Sequence, residues 1–357
     1  MSLPTRVAAN AAIGALATGG TYDAVIDVRS PGEFAEDRLP GAVNWPVLDD
    51  AERADIGTRY ASDAFEARKA GAALVSRNIA RHLEQHLQPL VRSWRPLVYC
   101  WRGGQRSGSL ATVLSEIGFR VAVLDGGYRA FRREVLAWLE TAGTGLRWIV
   151  IAGTTGSGKS RLLAALAAEG AQVLDLEGLA CHRGSVLGAL PGRPQPSQKA
   201  FETTLWQALQ ALDPARPVFV ESESRVVGRL RLPLALVERM RAAPCVQVQM
   251  PMPARVQLLI EDYTHLTADP APLCEALNAL RTIRGAAQVA QWQEFARRGE
   301  LARLVEELLV LHYDPIYRRS MAGHFTAYDR APVLSATDGS PMALSRLARE
   351  LIALEPT

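Results

Sequence analysis

Short apolar runs alternate with longer stretches whose apolar positions recur every three or four residues. Residues 24–29, 97–99, 121–125, 147–152 and 217–220 are compact Val/Ile/Leu-rich runs that end in polar or glycine-rich turns, the signature of buried strands. Between them, residues 62–88, 107–114, 129–140 and 161–168 carry the helical period, and a turn at residues 30–34 enters a further short helix. Strands alternating with helices predict parallel sheets covered on both faces. Beyond residue 253 the period is helical throughout, over 261–268, 273–284, 286–298 and 301–311. The expected fold class is α/β: a parallel-sheet domain, then a second α/β domain with a helical C-terminal part. The small residues Thr141-Ala142-Gly143-Thr144-Gly145 read as a hinge, which places the domains at 10–140 and 145–357.

Composition alters this picture little. The chain has 357 residues, 48% of them hydrophobic and 22% charged, enough for two ordinary globular cores. A formal net charge of +3 permits nucleic-acid binding without indicating it. The four cysteines have no CxxC or Cys/His spacing, which excludes a zinc site, and their scatter suits a reducing cytoplasm. Only Arg6 precedes the alanine-rich N-terminal stretch, so no signal peptide is expected, and no apolar run reaches the length of a membrane span.

The chemistry concentrates in two loops. Strand 97–99 ends in Cys100-Trp101-Arg102-Gly103-Gly104-Gln105-Arg106-Ser107, and Ser107 is placed to cap the following helix. A cysteine at a strand-to-helix turn meets converging N–H groups and a helix dipole, and here the cations Arg102 and Arg106 flank it. Each favours the thiolate, so Cys100 is the candidate nucleophile. Gly103 and Gly104 let the loop wrap around an anion. The spacing Cys-x5-Arg-Ser is that of cysteine-dependent phosphatases, so the loop suits a phosphate-like donor, although Tyr99 stands where such phosphatases usually carry histidine. The other three cysteines read as filler.

Strand 147–152 runs into Gly153-Thr154-Thr155-Gly156-Ser157-Gly158-Lys159-Ser160, a GxxxxGKS loop between strand and helix. Gly153, Gly156, Ser157 and Gly158 shape a cradle of N–H groups, Lys159 bridges phosphate oxygens and Ser160 can hold a metal ion; magnesium is admissible, but the residues identify no metal. Glu221 closes strand 217–220 where a nucleotidase carries its metal-bound carboxylate. Arg225 and Arg229 follow at helical spacing and are candidates for phosphate contact. No NKxD segment specifies guanine, and no adenine pocket is evident. In the helical region Arg281, Arg284, Arg297 and Arg298 sit among Trp292, Phe295, Tyr313 and Tyr317, a combination that can hold RNA phosphates and stack unpaired bases.

The phrases Ile26-Asp27-Val28-Arg29-Ser30-Pro31-Gly32-Glu33-Phe34, Leu39-Pro40-Gly41-Ala42-Val43-Asn44, the Cys100 loop and Leu124-Asp125-Gly126-Gly127-Tyr128 resemble the rhodanese domain. Joined to the GxxxxGKS loop, and with Asp175 to Ala180, His182-Arg183-Gly184-Ser185, Gln195-Pro196-Ser197-Gln198 and Glu221-Ser222-Glu223-Ser224-Arg225, the whole chain resembles the bacterial tRNA 2-selenouridine synthase family. Cys181 stands where that family is expected to have asparagine. The resemblance implies geranylation of a wobble 2-thiouridine in tRNA from geranyl diphosphate, followed by replacement of the S-geranyl group by selenium from selenophosphate. It implies that Cys100 accepts selenium, that Arg102 and Arg106 hold selenophosphate, that the Lys159 loop grips the diphosphate, and that the arginine-rich helices dock tRNA. No permanently bound cofactor and no membrane partner are implied, and the compartment is cytoplasmic. Two other readings fit the motifs: a sulfurtransferase fused to an ATP-dependent kinase or thiolation enzyme, with Arg225 and Arg229 as lid arginines, and a non-catalytic RNA-binding module.

Overall fold

The computed structural model describes residues 3–185, 187–264 and 269–354, so positions 265–268 of the helix expected over 261–268 lie outside the described residues. The chain divides into two compact units. One comprises residues up to Trp138 together with Ser197–Thr203; the other comprises Leu139–Pro196 and the chain from Thr204 onward.

In the first unit, strands β1 (Thr5–Val7), β2 (Ala24–Asp27), β3 (Ala42–Asn44), β4 (Pro96–Tyr99) and β5 (Ala122–Leu124) form one sheet, ordered β1-β5-β4-β2-β3. Every pair is parallel, so helices must cross between strands. They are α1 (Ala9–Thr18), α2 (Pro31–Glu36), α3 (Asp50–Ser62), α4 (Ala64–His86), α5 (Gln105–Ile117) and α6 (Gly127–Leu139). Strand β4 is buried along its whole length, as expected of a strand covered on both faces. Its Val98 joins Ile26 and Val123 in a core closed by Leu110 and Leu114, one turn apart on α5. Each such leucine contributes about 2 kcal/mol on burial. The helix expected over 62–88 is α4, and the helix before it, α3, carried no expectation. Asp63 leaves the helical conformation, and its side chain accepts the N–H groups of Phe65 and Glu66 to start α4. Strand β1 lacks the apolar signature because it is exposed to half-buried.

The phrases that carry the rhodanese resemblance are largely structural in this unit. Arg29 is 1% exposed and pairs with Asp27 at 2.6 Å; it also donates to the Asp37 carbonyl at 2.6 Å and lies 4.0 Å from the Tyr128 ring centre. Asn44 donates to the carbonyls of both Asp27 and Arg29 at 2.9 Å. Tyr99 is fully buried, and its hydroxyl accepts the Leu39 N–H at 3.1 Å.

In the second unit, β6 (Arg147–Ala152), β7 (Gln172–Leu174), β8 (Pro217–Glu221), β11 (Cys245–Gln249) and β12 (Val333–Ser335) form a parallel sheet ordered β12-β11-β6-β8-β7. A separate antiparallel hairpin joins β9 (Val226–Val227) to β10 (Leu230–Arg231). Among the helices are α7 (Lys159–Ala168), α8 (Leu176–Ala180), α9 (Gln198–Gln210), α10 (Leu234–Ala242) and α11 (Met252–Asp262). Leu162, Leu163 and Leu166 of α7 meet Leu344, Leu347 and Leu351 of the C-terminal helix Pro341–Ala353 over the sheet. The small-residue stretch 141–145 is fastened inside this unit. Trp148 Nε1 donates to the Gly143 carbonyl, and Arg239 donates to the Ala142 carbonyl at 3.0 Å and the Thr144 hydroxyl at 2.7 Å.

The helical region holds a third core of Leu277, Leu280, Val289, Trp292, Leu304 and their neighbours. The periodic run 273–284 breaks into Pro270–Leu277, a 3-10 turn Asn278–Leu280 and Arg281–Arg284. Helix Leu301–Leu308 continues as a π-helical turn Leu309–Tyr313 into Asp314–His324.

Candidate functional site

Both loops emerge from the carboxyl ends of interior parallel strands, β4 and β6, where an open α/β sheet leaves room for ligands. In the first unit, helix α5 starts at Gln105 behind Gly104 rather than being capped by Ser107. Ser107 instead turns inward: its hydroxyl lies 3.2 Å from both the Cys100 sulfur and the Gly104 carbonyl. The Gly104 N–H donates to the same sulfur at 3.3 Å. Burial pushes the Cys100 thiol up, but hydrogen bonds from Ser107 and the Arg102 backbone, with the Arg106 charge, outweigh it and leave the thiol below its ordinary value.

The loop keeps its shape because the Gly126-Gly127 turn presses against it. Tyr128 and Arg129 N–H groups donate to the Cys100 and Trp101 carbonyls at 2.8 and 3.1 Å. A Cβ on Gly127 would fall 2.3 Å from the Cys100 carbonyl, and Gly127 has φ +57°, so two independent constraints demand glycine there. Arg106 is not free: it pairs with Glu33 at 2.7 Å. Burial pushes the Glu33 carboxyl up, and the Arg106 partnership more than reverses this. Arg102 is exposed at the rim of a cavity of about 360 Å³ above the cysteine. The first unit also contains the N-terminal residues of α9: Thr203 and Tyr128 both donate to Asp37 Oδ2, at 2.9 and 2.8 Å.

In the second unit, Gly158 at φ +84° caps α7, and a Cβ on Gly153 would meet the Ser157 hydroxyl at 2.4 Å. Lys159 reaches back to the Gly153 carbonyl at 2.6 Å, and its ammonium lies 5.3 Å from the Tyr317 ring centre. Burial lowers the Lys159 pKa, and the charges of Glu177, Glu223 and Glu221 restore it only in part. The pairing of β6 with β8 sets Glu221 opposite Ile151, beside the start of the loop. Glu221 Oε1 accepts the Glu177 N–H at 2.9 Å, while Oε2 is buried without a partner among the described residues. Burial raises the Glu221 carboxyl well above its usual range. Ser160 donates to Glu177 at 2.7 Å. Glu223 is pushed up to about 7, first by burial and then by the neighbouring Glu177 carboxylate.

Two residues that the sequence did not assign to this loop hold it. Arg255 on α11 donates to the Thr155 carbonyl at 2.7 Å and pairs with Asp314 at 2.6 Å. Tyr317 accepts the Gly153 N–H at 2.5 Å. Both tie the loop to helix Asp314–His324 over long sequence separations, which no local pattern encodes. A cavity of about 400 Å³ opens from Lys159 and Ser160 onto Tyr263, Tyr313, Ile316, Met321 and Phe325, with Arg183 and Arg241 on its wall. Arg225 is absent from this lining. The helical spacing read for Arg225 and Arg229 is wrong: the segment is a hairpin whose two-residue turn, Gly228-Arg229, has glycine at φ +60°. Arg225 is exposed, and Arg229 is spent on the Gln195 carbonyl at 2.6 Å. Among the described residues no group of three or more His, Cys, Asp or Glu is arranged to hold a metal ion.

Two domain families match the chain: a rhodanese-like domain over residues 10–134 and a tRNA 2-selenouridine synthase AAA domain over residues 146–282. A protein of Nitrosomonas europaea named tRNA 2-selenouridine synthase is 36% identical over 279 residues, 77% of this chain and 71% of the relative. A Bdellovibrio bacteriovorus protein of the same name is 32% identical over 339 residues, 83% of this chain and 88% of the relative. The chain belongs to the tRNA 2-selenouridine synthase family. Its first unit is the rhodanese-like domain, and its second is an α/β domain with a helical C-terminal region.

Within this family assignment, the helical arginines divide. Arg281 is exposed and free of ion pairs to the described residues. Arg297 and Arg298 share Glu294, at 3.5 and 2.8 Å. Arg284 donates to His312 Nδ1 at 3.1 Å and to its carbonyl at 3.3 Å. Trp292 and Phe295 are 0% and 7% exposed in the core, so they cannot stack on bases, while Tyr313 and Tyr317 line the Lys159 cavity. The aromatic half of the RNA reading therefore fails: helical spacing put these rings inside. Cys181, the residue that departs from the expected asparagine, ends α8 at φ +48° and ψ 46°. It is the non-glycine residue at positive φ among those described, a conformation asparagine tolerates best after glycine.

Proposed function

We propose that this protein is an enzyme of tRNA modification that converts wobble 2-thiouridine to 2-selenouridine through an S-geranyl intermediate. The observation that carries the reading is the cavity at Lys159, in which a phosphate-binding loop opens onto an apolar and aromatic wall. A nucleotide base needs hydrogen-bonding partners on its edge, whereas a geranyl tail needs only apolar surface. An apolar slot of about 60 Å³, lined by Leu259, Leu301, Leu304, Val305 and Leu308, adjoins the loop at Thr155 and extends that surface.

In this mechanism the loop N–H groups and Lys159 hold the diphosphate of geranyl diphosphate and stabilise the departing pyrophosphate. The thiouridine sulfur attacks the geranyl carbon, the carbon–oxygen bond to diphosphate breaks, and the sulfur becomes a better leaving group. The raised carboxyls of Glu221 and Glu223 reduce the negative charge beside the diphosphate. Should magnesium accompany the diphosphate, Ser160 and the unpartnered Glu221 oxygen are the residues to hold it. Selenophosphate seats in the Cys100 loop; its selenium attacks C2, the C2–sulfur bond breaks and geranylthiol leaves, and water then takes the phosphoryl group, breaking the selenium–phosphorus bond and releasing phosphate.

Nucleoside mass spectrometry on thiolated tRNA incubated with protein, geranyl diphosphate and selenophosphate tests the reading. The expected products are the S-geranyl nucleoside with the first donor alone and 2-selenouridine with both. Lys159→Ala is expected to abolish geranyl transfer yet still exchange selenium into tRNA geranylated chemically. ATP turnover without any prenyl transfer would replace this reading with the kinase or thiolation one.

A further inference from the structure

The cavity over Cys100 is lined by Arg53 as well as Arg102 and Arg106. Arg106 is already paired with Glu33 at 2.7 Å. We propose that Arg53 is a binding residue of the cysteine loop, and that it and Arg102, not Arg106, capture a small oxyanion carrying a transferable chalcogen. This rests on the reading that an anionic donor loads Cys100.

Arg53 comes from α3, far from the loop in sequence, and its placement is built rather than incidental. The first turn of α3 is locked by a capping box between Asp49 and Glu52. Glu52 also accepts a hydrogen bond from Asn78 at 2.8 Å, and Asn78 donates to the Val47 carbonyl at 3.2 Å, fastening α3 to α4. Asp50 accepts the Gly32 N–H at 2.9 Å, fastening α3 to α2, the helix whose Glu33 holds Arg106. Two helices that frame the loop are thus fixed to each other on the side from which Arg53 approaches.

Gly57, one turn further along α3, lies beside the same side chain. A Cβ there would sit 2.8 Å from Arg53 Nη1, so an alanine at this position would shift the guanidinium. That guanidinium is exposed and makes no hydrogen bond or ion pair to the described residues, as is true of Arg102, although the Arg53 charge adds to that of Arg106 in lowering the Glu33 carboxyl. Unpaired, planar, forked donors beside a sulfur held toward its thiolate suit an oxyanion, which guanidinium binds in bidentate fashion. Selenophosphate, thiophosphate and thiosulfate share that chemistry.

The test uses the full chain and two alkylating agents of similar size, iodoacetate and iodoacetamide. Either reacts by thiolate attack at the methylene with loss of iodide, and Cys100 modification is followed by peptide mass spectrometry. Arg53→Gln is expected to slow the anionic reagent about tenfold, the loss of one charge-assisted contact, while leaving iodoacetamide nearly unchanged. Gly57→Ala keeps the charge but displaces it, and is expected to give a smaller loss in the same direction. Arg53→Lys is expected to restore part of the preference. Equal slowing of both reagents, or of neither, overturns the proposal, because Arg53 would then act on folding or on the thiol, or not at all. Protection of Cys100 by selenophosphate and by thiosulfate is measured in parallel. If thiosulfate protects and selenophosphate does not, while Arg53→Gln still loses its anion preference, the anion seat stands and the selenium donor of the proposed function falls.

Discussion

The Ser107 hydroxyl sits 3.2 Å from the Cys100 sulfur, on the first turn of the helix that the cysteine loop opens. Ser107 is fully buried, so no water can replace its hydrogen bond to the thiolate. Ser107→Ala is therefore expected to raise the Cys100 pKa, because one hydrogen bond to the charged sulfur is lost. The pH profile of Cys100 alkylation measures this directly. An unchanged profile would mean that the backbone N–H groups alone hold the thiolate.

Glu223 lies at the centre of the acidic group around Lys159, with its carboxyl pushed up to about 7 by burial and by Glu177. A carboxyl whose folded pKa exceeds its unfolded value stabilises the fold below the unfolded pKa and loses that contribution as pH rises through the folded one. Stability of the second unit should thus fall as pH rises through about 7. Over the same range the affinity of wild type for pyrophosphate should fall relative to that of Glu223→Gln, because only wild type gains a negative charge. Urea unfolding and calorimetric titration check the two halves. A ratio independent of pH would show that Glu223 does not titrate there.

Cys181 occupies a left-handed conformation at the end of α8. Cys181→Asn is expected to stabilise the protein by about 1 kcal/mol, by relieving the clash that a Cβ incurs there when no side-chain amide compensates. The urea midpoint should rise with an unchanged slope. A lower midpoint would show that the cysteine side chain is held by packing worth more than the strain.

Arg281 and Arg284 are close in sequence and opposite in situation. Arg281→Gln is expected to weaken tRNA binding and to reduce the slope of log affinity against log salt by about one unit at most. Arg284→Gln removes hydrogen bonds to His312 and is expected to lower thermal stability before it alters the salt slope. Salt-dependent binding indifferent to Arg281 would move the tRNA surface elsewhere.

The two candidate loops were legible in the chain because their motifs are written in neighbouring residues. A strand, glycines at fixed offsets and a following helix specify the backbone of Gly153 to Ser160, and the same holds for Cys100 to Ser107. The strands β2, β4, β6 and β8 were equally plain, since a strand buried on both faces must be almost wholly apolar. Where local spacing was ambiguous, it misled. Trp292 and Phe295 have the spacing of a ligand-facing stripe and of a core stripe alike, and burial chose the core. Arg225 and Arg229 fit a helix, but Gly228 in the left-handed region turned the segment into a hairpin.

By itself, then, the sequence determined the alternation of the most buried strands with helices, the two glycine-containing strand-to-helix loops and the family, because each is written in residues near one another in the chain. Only the tertiary structure decided which charges are spent and which are available. Arg106 is paired with Glu33, Arg284 is engaged in hydrogen bonds to His312 and Ser160 donates to Glu177, whereas Arg53 lines the cavity over Cys100 without a hydrogen bond or ion pair to the described residues. The reason is physical. A side chain's charge is set by the partners within a few ångströms of it, and those partners are brought together by parallel strand pairing and helix packing across long stretches of chain.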